Sequence, residues 1–252
     1  MPDPIFADPR LAGLYDVLDD DRSDLDLYTR LANGLGASSV LDVGCGTGTL
    51  ACKLASLGID VVGLDPAAAS LDIARHKPGA EHVRWIHGDA SAAPANNFDL
   101  ALMTGNVAQV FVTDAAWTQA LGAMRRAVRD GGWLVFETRD PARRAWEQWT
   151  KAHTYRELEI PAVGLVRTWT ELVDVREPLV SFRQVFRFEP DGSEVVSHST
   201  LRFRCRDEIT HSLKTAGFGL SSVRDAPDRP GLEFVFVAQL ETHPSRDQRV
   251  PL

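Results

Sequence analysis

The chain has 252 residues, 44% hydrophobic and 25% charged, and its Lys+Arg 27 against Asp+Glu 35 leave a formal net charge of -8. That length suits one large domain or two small ones, and the Trp 6 and Phe 11 supply enough core material to exclude a disordered chain. Net acidity argues against a protein built to hold a nucleic-acid backbone, because such affinity comes from clustered Lys and Arg.

Residues 1–36 begin acidic and irregular, then turn apolar at helical spacing through Leu25, Leu27, Tyr28 and Leu31 until Asn33-Gly34 and Gly36 stop the helix. Short aliphatic runs follow, separated by helical segments. The pattern predicts strands at 39–43, 60–64, 82–87 and 98–103, with helices at 49–57, closed by Gly58, and at 67–76. Asp114 reads as the cap of a further helix with Trp117, Leu121, Met124 and Val128 on one face, closed by Gly131-Gly132 before a fifth strand at 133–138. Strands alternating with helices imply βαβ units and a parallel sheet covered on both faces.

After Pro141 the texture changes to Trp146 and Trp149 at helical spacing and three long strand-like stretches at 163–175, 179–189 and 193–205. Pro190-Asp191-Gly192 predicts a hairpin. Asp207 then reads as the cap of a helix ending at Gly217, and two strands at 220–224 and 233–240 close the fold. The divisions drawn are 1–36 as a helical cap, 37–141 as a ligand-binding core, 142–205 as a β insertion, 206–241 as the core's closing helix and hairpin, and 242–252 as a flexible tail.

The most informative stretch is Val40-Leu41-Asp42-Val43-Gly44-Cys45-Gly46-Thr47-Gly48-Thr49, a strand entering a glycine turn that opens a helix. Glycines let the backbone approach a ligand, and the helix start offers free N–H groups. Dinucleotides and S-adenosylmethionine both suit such a turn. The dinucleotide fingerprint needs Gly where Thr49 stands, and the Asp42 carboxylate repels a pyrophosphate but suits the ammonium of a methionine moiety. Asp65, at the end of the second strand with Pro66 behind it, can accept hydrogen bonds from ribose hydroxyls. In Gly88-Asp89-Ala90 the Asp89 carboxylate can meet an adenine amino group and the Ala90 N–H a ring nitrogen.

With these motifs the sequence resembles a class I S-adenosylmethionine-dependent methyltransferase of the bacterial small-molecule type. The resemblance rests on the loop from Asp42 to Gly48, Asp65, Gly88-Asp89-Ala90, the Phe98-Asp99 strand and Gly131-Gly132. It covers roughly residues 36–140 and resumes at the closing helix and hairpin. It implies an α/β, Rossmann-like, seven-stranded, mostly parallel sheet with an antiparallel last strand and helices on both faces, plus an antiparallel β-hairpin insertion between strand 5 and the closing helix. It also implies that Asp42, Gly44, Cys45 and Gly46 hold the methionine end of the cofactor, Asp65 and Pro66 the ribose, and Asp89 and Ala90 the adenine. Thr104 and Asn106 would lie beside them, and Tyr15, in a segment with Asp16 and Tyr28, would close over the cofactor.

Met103-Thr104-Gly105-Asn106 departs from the Asn-Pro-Pro-aromatic pattern of methyltransferases that act on base amino groups, so a base-flipping enzyme is disfavoured. Gln109, Phe111 and Arg139 are candidate substrate-binding residues. Glu137, Asp140 and His198 are candidate bases, needed only if the acceptor must lose a proton. Folding the hairpin about Pro190-Asp191-Gly192 sets His198 opposite Gln184, on the face of Phe182, Phe186 and Phe188. Arg183, Arg187, Arg202 and Arg204 could attract an anionic acceptor or simply form a solvated face.

The expected activity is methyl transfer to an O or N atom of a small molecule; the alternative is a non-catalytic S-adenosylmethionine-binding or scaffold protein. No metal is expected, because no Cys or His pair has zinc spacing. No apolar run approaches the roughly 18 residues of a membrane span, the acidic Met1-Pro2-Asp3-Pro4 is unlike a signal peptide, and three scattered cysteines (Cys45, Cys52, Cys205) suit a reducing compartment. A cytoplasmic monomer or homodimer without nucleic-acid or membrane partners is expected.

Overall fold

The computed structural model describes residues 2–19, 21–95 and 98–242; most of the tail expected at 242–252 lies outside them. The chain opens with three single-turn helices, α1 (Pro4–Ala7), α2 (Pro9–Ala12) and α3 (Tyr15–Leu18), followed by α4 (Leu25–Gly34). The core then runs β1 (Ser39–Val43), α5 (Thr49–Ser56), β2 (Asp60–Asp65), α6 (Ala68–Ala74), β3 (Val83–His87), β4 (Phe98–Met103), α7 (Asp114–Ala127) and β5 (Val128–Arg139). After α8 (Lys151–Thr154) come β6 (Arg156–Ile160), β7 (Gly164–Arg176), β8 (Leu179–Phe188) and β9 (Glu194–Arg202). The chain returns to the core through α9 (Arg206–Thr215), β10 (Phe218–Asp225) and β11 (Glu233–Leu240).

The core strands form one 7-stranded sheet in the order β10-β11-β5-β4-β1-β2-β3, while β6-β7-β8-β9 form a separate 4-stranded sheet. β1 to β5 pair in parallel and β11 is antiparallel to both neighbours, as the resemblance implies. Alternate residues of the strands feed opposite faces. Leu41, Val43, Val62 and Leu64 pack with Trp117, Leu121, Met124 and Leu213 on one side, and Val40, Val61, Leu100 and Leu102 pack with Leu25, Leu31, Leu50 and Leu54 on the other. Burial on both faces is why these strands read as continuous aliphatic runs. The strand order reverses between β1 and β4, so a crevice opens at the strand ends there, the position where open α/β sheets bind ligands.

Several details differ from the sequence expectations. β6 is an additional strand, an edge strand with only Ile160 buried. Helix α7 is capped by Thr113, whose hydroxyl accepts from the Ala116 N–H at 3.1 Å, rather than by Asp114. Cys205, not Asp207, caps α9, with Glu208 accepting the Cys205 N–H at 2.7 Å. Val128 belongs to β5, not to the preceding helix, and Gly131-Gly132 form an irregularity within that strand.

The second sheet is also an anchor for the N-terminus. Ile5, Leu11 and Leu14 bury against Ile160, Val166, Phe186 and Phe188, each aliphatic side chain contributing about 1.5–3 kcal/mol on full burial.

Candidate functional site

A cavity of about 490 Å³ lies at the C-terminal ends of β1 to β4, a size in the usual range for a small-molecule site. Its floor comes from the loops that leave those strands: Asp42 to Thr47, Asp65 and Pro66, Gly88 to Ala90, and Thr104 and Gly105. Phe6 and Tyr15 of the N-terminal segment, Val110 and Phe111 of the turn after β4, and Thr200 of β9 form its cover.

The glycine turn is shaped by close approach. Gly44 has φ +72, and a Cβ there would lie 2.5 Å from Val107 Cγ2. Gly48 has φ +78, and its Cβ would lie 2.5 Å from the Trp85 ring. Both positions therefore demand glycine on two counts. Gly46, at φ +53, has nothing within 4 Å of the place a Cβ would take, so the space at the tip of the turn is open to a ligand. The turn is fixed to β2 by Gly44 N–H and Cys45 N–H donating to the Leu64 carbonyl at 2.7 and 3.2 Å. Burial pushes the Cys45 thiol well up, so it is not a ready nucleophile.

Asp42 is 1% exposed, and neither of its carboxylate oxygens has a hydrogen-bond partner among the described residues. Burial, reinforced by the nearby Asp65 charge and opposed by Arg22, pushes its pKa up to about 7. A buried carboxylate without a partner is costly, and a ligand cation would relieve that cost. Asp65 accepts from Gly46 N–H at 2.8 Å on one oxygen and from Ala67 N–H at 2.7 Å on the other. Desolvation raises its pKa and these two bonds oppose the rise. Each oxygen keeps a lone pair for a further donor. Asp89 is exposed at the cavity edge and is held below the usual carboxylate range by the Ser91 hydroxyl and N–H.

Of the residues singled out in the sequence, Asp42, Gly44, Cys45, Gly46, Asp65, Pro66, Asp89, Ala90, Thr104, Tyr15 and Phe111 line the cavity. The others stand elsewhere. Asn106, in the left-handed region at φ 62, is buried behind the wall, with its N–H donating to Glu137 at 2.6 Å and its side-chain amide to Glu233 at 3.2 Å. Glu137 also accepts from the Tyr28 hydroxyl. Burial raises Glu137 to about 7, against the pull of those two donors. Arg139 is an ion-pair partner of Glu233 at 3.6 Å and donates to Gln109 at 2.9 Å, so this set forms a buried polar layer under the site instead of its surface. Asp140 caps the turn at Pro141–Arg143 by accepting the Ala142 N–H at 2.9 Å.

His198 is exposed and pairs with Arg183, not Gln184. The hairpin loop is closed by Phe188 N–H donating to the Ser193 carbonyl at 2.9 Å, so Glu189 joins the loop and the register slips by a single residue. Such a slip turns a side chain to the opposite face, away from Phe186 and Phe188. Arg183 and Arg187 are taken by Glu171 and Glu189.

Lining residues that sequence reasoning missed include Asp3, Phe6, Arg22, Val107 and Thr200. Arg22 carried a signal, being the lone basic residue in the acidic stretch 16–26. The others reach the cavity only through tertiary packing.

Residues 40–132 match the family model described as a methyltransferase domain. The match covers a little over a third of the chain. The chain is 33% identical over 114 residues to a malonyl-[acyl-carrier protein] O-methyltransferase of Yersinia pestis, covering 43% of this chain and 41% of that protein. It is 34% identical over 113 residues to a ubiquinone biosynthesis O-methyltransferase of Acinetobacter baylyi, covering 42% and 46%. The chain thus spans less than half the length of these two relatives. Among solved structures, an S-adenosylmethionine-dependent methyltransferase from Clostridium acetobutylicum superposes with a TM-score of 0.72 at 16% identity, covering 92% of this chain and 98% of that one. A sugar N-methyltransferase from a Streptoalloteichus species gives 0.74 at 19% identity, covering 90% and 93%. The fold is therefore that of the S-adenosylmethionine-dependent methyltransferases over nearly the whole chain, second sheet included.

Proposed function

We propose that this protein transfers the methyl group of S-adenosylmethionine to an O or N atom of a small molecule. The observation that carries the reading is Asp42, a buried carboxylate at the glycine turn with no partner of its own. It suits the cofactor's ammonium, and Arg22, the one cation among the described lining residues, suits its carboxylate. Asp65 offers two lone pairs to the ribose hydroxyls, and Asp89 with the Ala90 N–H serves the adenine. A pyrophosphate would meet Asp42, Asp65 and Asp89 with like charge, which disfavours a dinucleotide. The relatives named as O- and N-methyltransferases support the same reading.

S-adenosylmethionine supplies an electrophilic methyl group, and the protein's part is alignment and exclusion of water. The covering residues Phe6, Tyr15 and Phe111 serve the second task. The candidate bases lie outside the cavity wall, so Glu137 and Asp140 act by holding the wall in place. We extend the reading to a cytoplasmic monomer or homodimer with no nucleic-acid acceptor. Net acidity and three unpaired cysteines support it, and no helix among the described residues is long and apolar enough to cross a membrane. Calorimetric titration with S-adenosylmethionine and S-adenosylhomocysteine tests the cofactor. Binding of both, without competition by NAD, is expected; no binding at millimolar ligand overturns the reading.

A further inference from the structure

The cavity lining includes the apolar side chains Phe6, Val107, Val110 and Phe111, with Thr200 and Asp3 among its polar members. Its charge is one-sided. Against the carboxylates of Asp3, Asp42, Asp65 and Asp89 the described lining sets one cation, Arg22, whose charge opposes the rise of the Asp42 pKa. The arginines of the second sheet are already committed. Arg202 pairs with Asp114 at 2.8 Å, and Arg204 donates to the carbonyls of Phe111 and Thr113 at 2.7 and 3.2 Å. Asp3 is thus a lining carboxylate that forms no ion pair with either of these arginines of the second sheet.

Asp3 also declines its local role. It stands where an Asp normally caps a helix, immediately before α1, yet its side chain makes no capping bond. It accepts instead from the Ser199 hydroxyl at 2.6 Å. Two residues on, the Ile5 N–H donates to the Ser197 hydroxyl at 2.9 Å. The chain is thereby fixed against β9, and Asp3 lines the cavity together with aromatic and aliphatic side chains. An anionic group beside Asp3 would meet like charge and would lose its hydration, whereas a group that is or becomes cationic would gain a partner.

We propose that the methyl acceptor is a small primary or secondary amine with an apolar or aromatic body, its nitrogen held by Asp3. This rests on the methyl-transfer reading above. The amine's lone pair forms the new bond to the methyl carbon, and the carbon–sulfur electron pair stays with sulfur. Positive charge passes from sulfur to nitrogen, and the nitrogen then releases its proton to the Asp3 carboxylate and so to solvent. Because charge develops on nitrogen as the bond forms, a fixed carboxylate favours the transition state over the neutral bound amine. The half-buried position of Asp3 gives the proton its way out.

The test uses the enzyme loaded with S-adenosylhomocysteine and three probes of one shape, 2-phenylethylamine, 2-phenylethanol and phenylacetate, with binding followed by ligand-observed NMR. The amine is expected to bind about tenfold tighter than the alcohol, as a charge-assisted hydrogen bond provides, and phenylacetate not measurably. Asp3→Asn is expected to erase the amine preference, and Ser199→Ala to reduce it by about threefold through loss of the carboxylate's own anchor, both with S-adenosylhomocysteine affinity unchanged. No measurable amine binding, binding of phenylacetate at least as tight, or a preference that survives Asp3→Asn overturns the amine assignment alone. Failure of S-adenosylhomocysteine to bind overturns the cofactor reading and this inference with it.

Discussion

At the scale of single residues, Asp42 and Glu137 have the same unusual property. Burial holds each near 7, above the value of the unfolded chain, so each folded group keeps its proton more tightly than the unfolded one. Their stabilising contribution is complete below the unfolded values and fades as pH rises through about 7. The ligand-free protein should therefore melt at progressively lower temperature from weakly acidic to weakly alkaline pH; a flat profile would contradict these protonation states. A cofactor ammonium seated beside Asp42 would lower its pKa, so binding near pH 7 should release a fraction of a proton. Calorimetry in buffers of different ionisation enthalpy measures that release, and Asp42→Asn should abolish it. Glu137 depends on Tyr28, so Tyr28→Phe should cost about 1–3 kcal/mol by leaving a buried acceptor without its donor. Urea denaturation checks this, and a loss under 0.5 kcal/mol, roughly the lower edge of a hydrogen bond's worth, would show that the pair is dispensable. Asp42 was legible in the sequence because it lies within the motif. The Tyr28–Glu137 contact was not, since it joins residues more than 100 positions apart by a geometry that neither residue's local pattern records.

Elements that bury both faces or repeat a helical stripe were legible; elements defined by a neighbour were not. β1, β2 and β4 appear as aliphatic runs and match the expected bounds within a residue. β6 escaped because Arg156, Glu157 and Glu159 give it the composition of a solvated edge, and its pairing with β7 is backbone bonding that any sequence can make. The turn after β4 shows the same limit. Its place beside the site was expected, but the arginines that hold it arrive from the other sheet: Arg202 donates to the Val112 carbonyl at 3.2 Å and Arg204 to that of Phe111 at 2.7 Å. Arg204, whose pKa burial lowers to about 10, also lies over the Trp117 ring at 5.2 Å. Arg204→Met preserves much of the volume but removes the donors. It should raise the KM for the acceptor by roughly tenfold through the loss of charged hydrogen bonds to two carbonyls, while the affinity for S-adenosylhomocysteine stays the same. Equal weakening of both ligands would show that the guanidinium supports the whole cavity and not the acceptor turn.

For the whole molecule, the second sheet and the core cooperate through the N-terminal segment. On the sheet side Arg10 pairs with Asp191 at 3.2 Å and covers the Phe188 ring at 3.8 Å, and the Ile5, Leu11 and Leu14 cluster supplies the apolar hold. On the core side Asp16 accepts from Thr47 at 2.7 Å and pairs with Lys77 at 2.7 Å, while Ser70 donates to the Phe6 carbonyl at 3.0 Å. Thr47 and Ser70 are themselves cavity residues, so the segment that covers the site is tied both to the glycine turn beneath it and to a sheet that gives the cavity lining Thr200. The exposed ion pairs add little individually; the apolar cluster carries the attachment. Phe186 is fully buried in that cluster and does not line the cavity. Phe186→Ala should therefore cost about 3–5 kcal/mol and loosen the cover without altering any residue that lines the cavity. Hydrogen exchange over residues 2–18 provides the measurement. Wild-type exchange there should slow when S-adenosylhomocysteine binds, because the segment packs over an occupied cavity, and in the variant this protection should be lost with cofactor affinity falling in step. Retained protection in a variant whose second sheet exchanges rapidly would mean that the core ties hold the cover unaided, and that the sheet serves the acceptor alone.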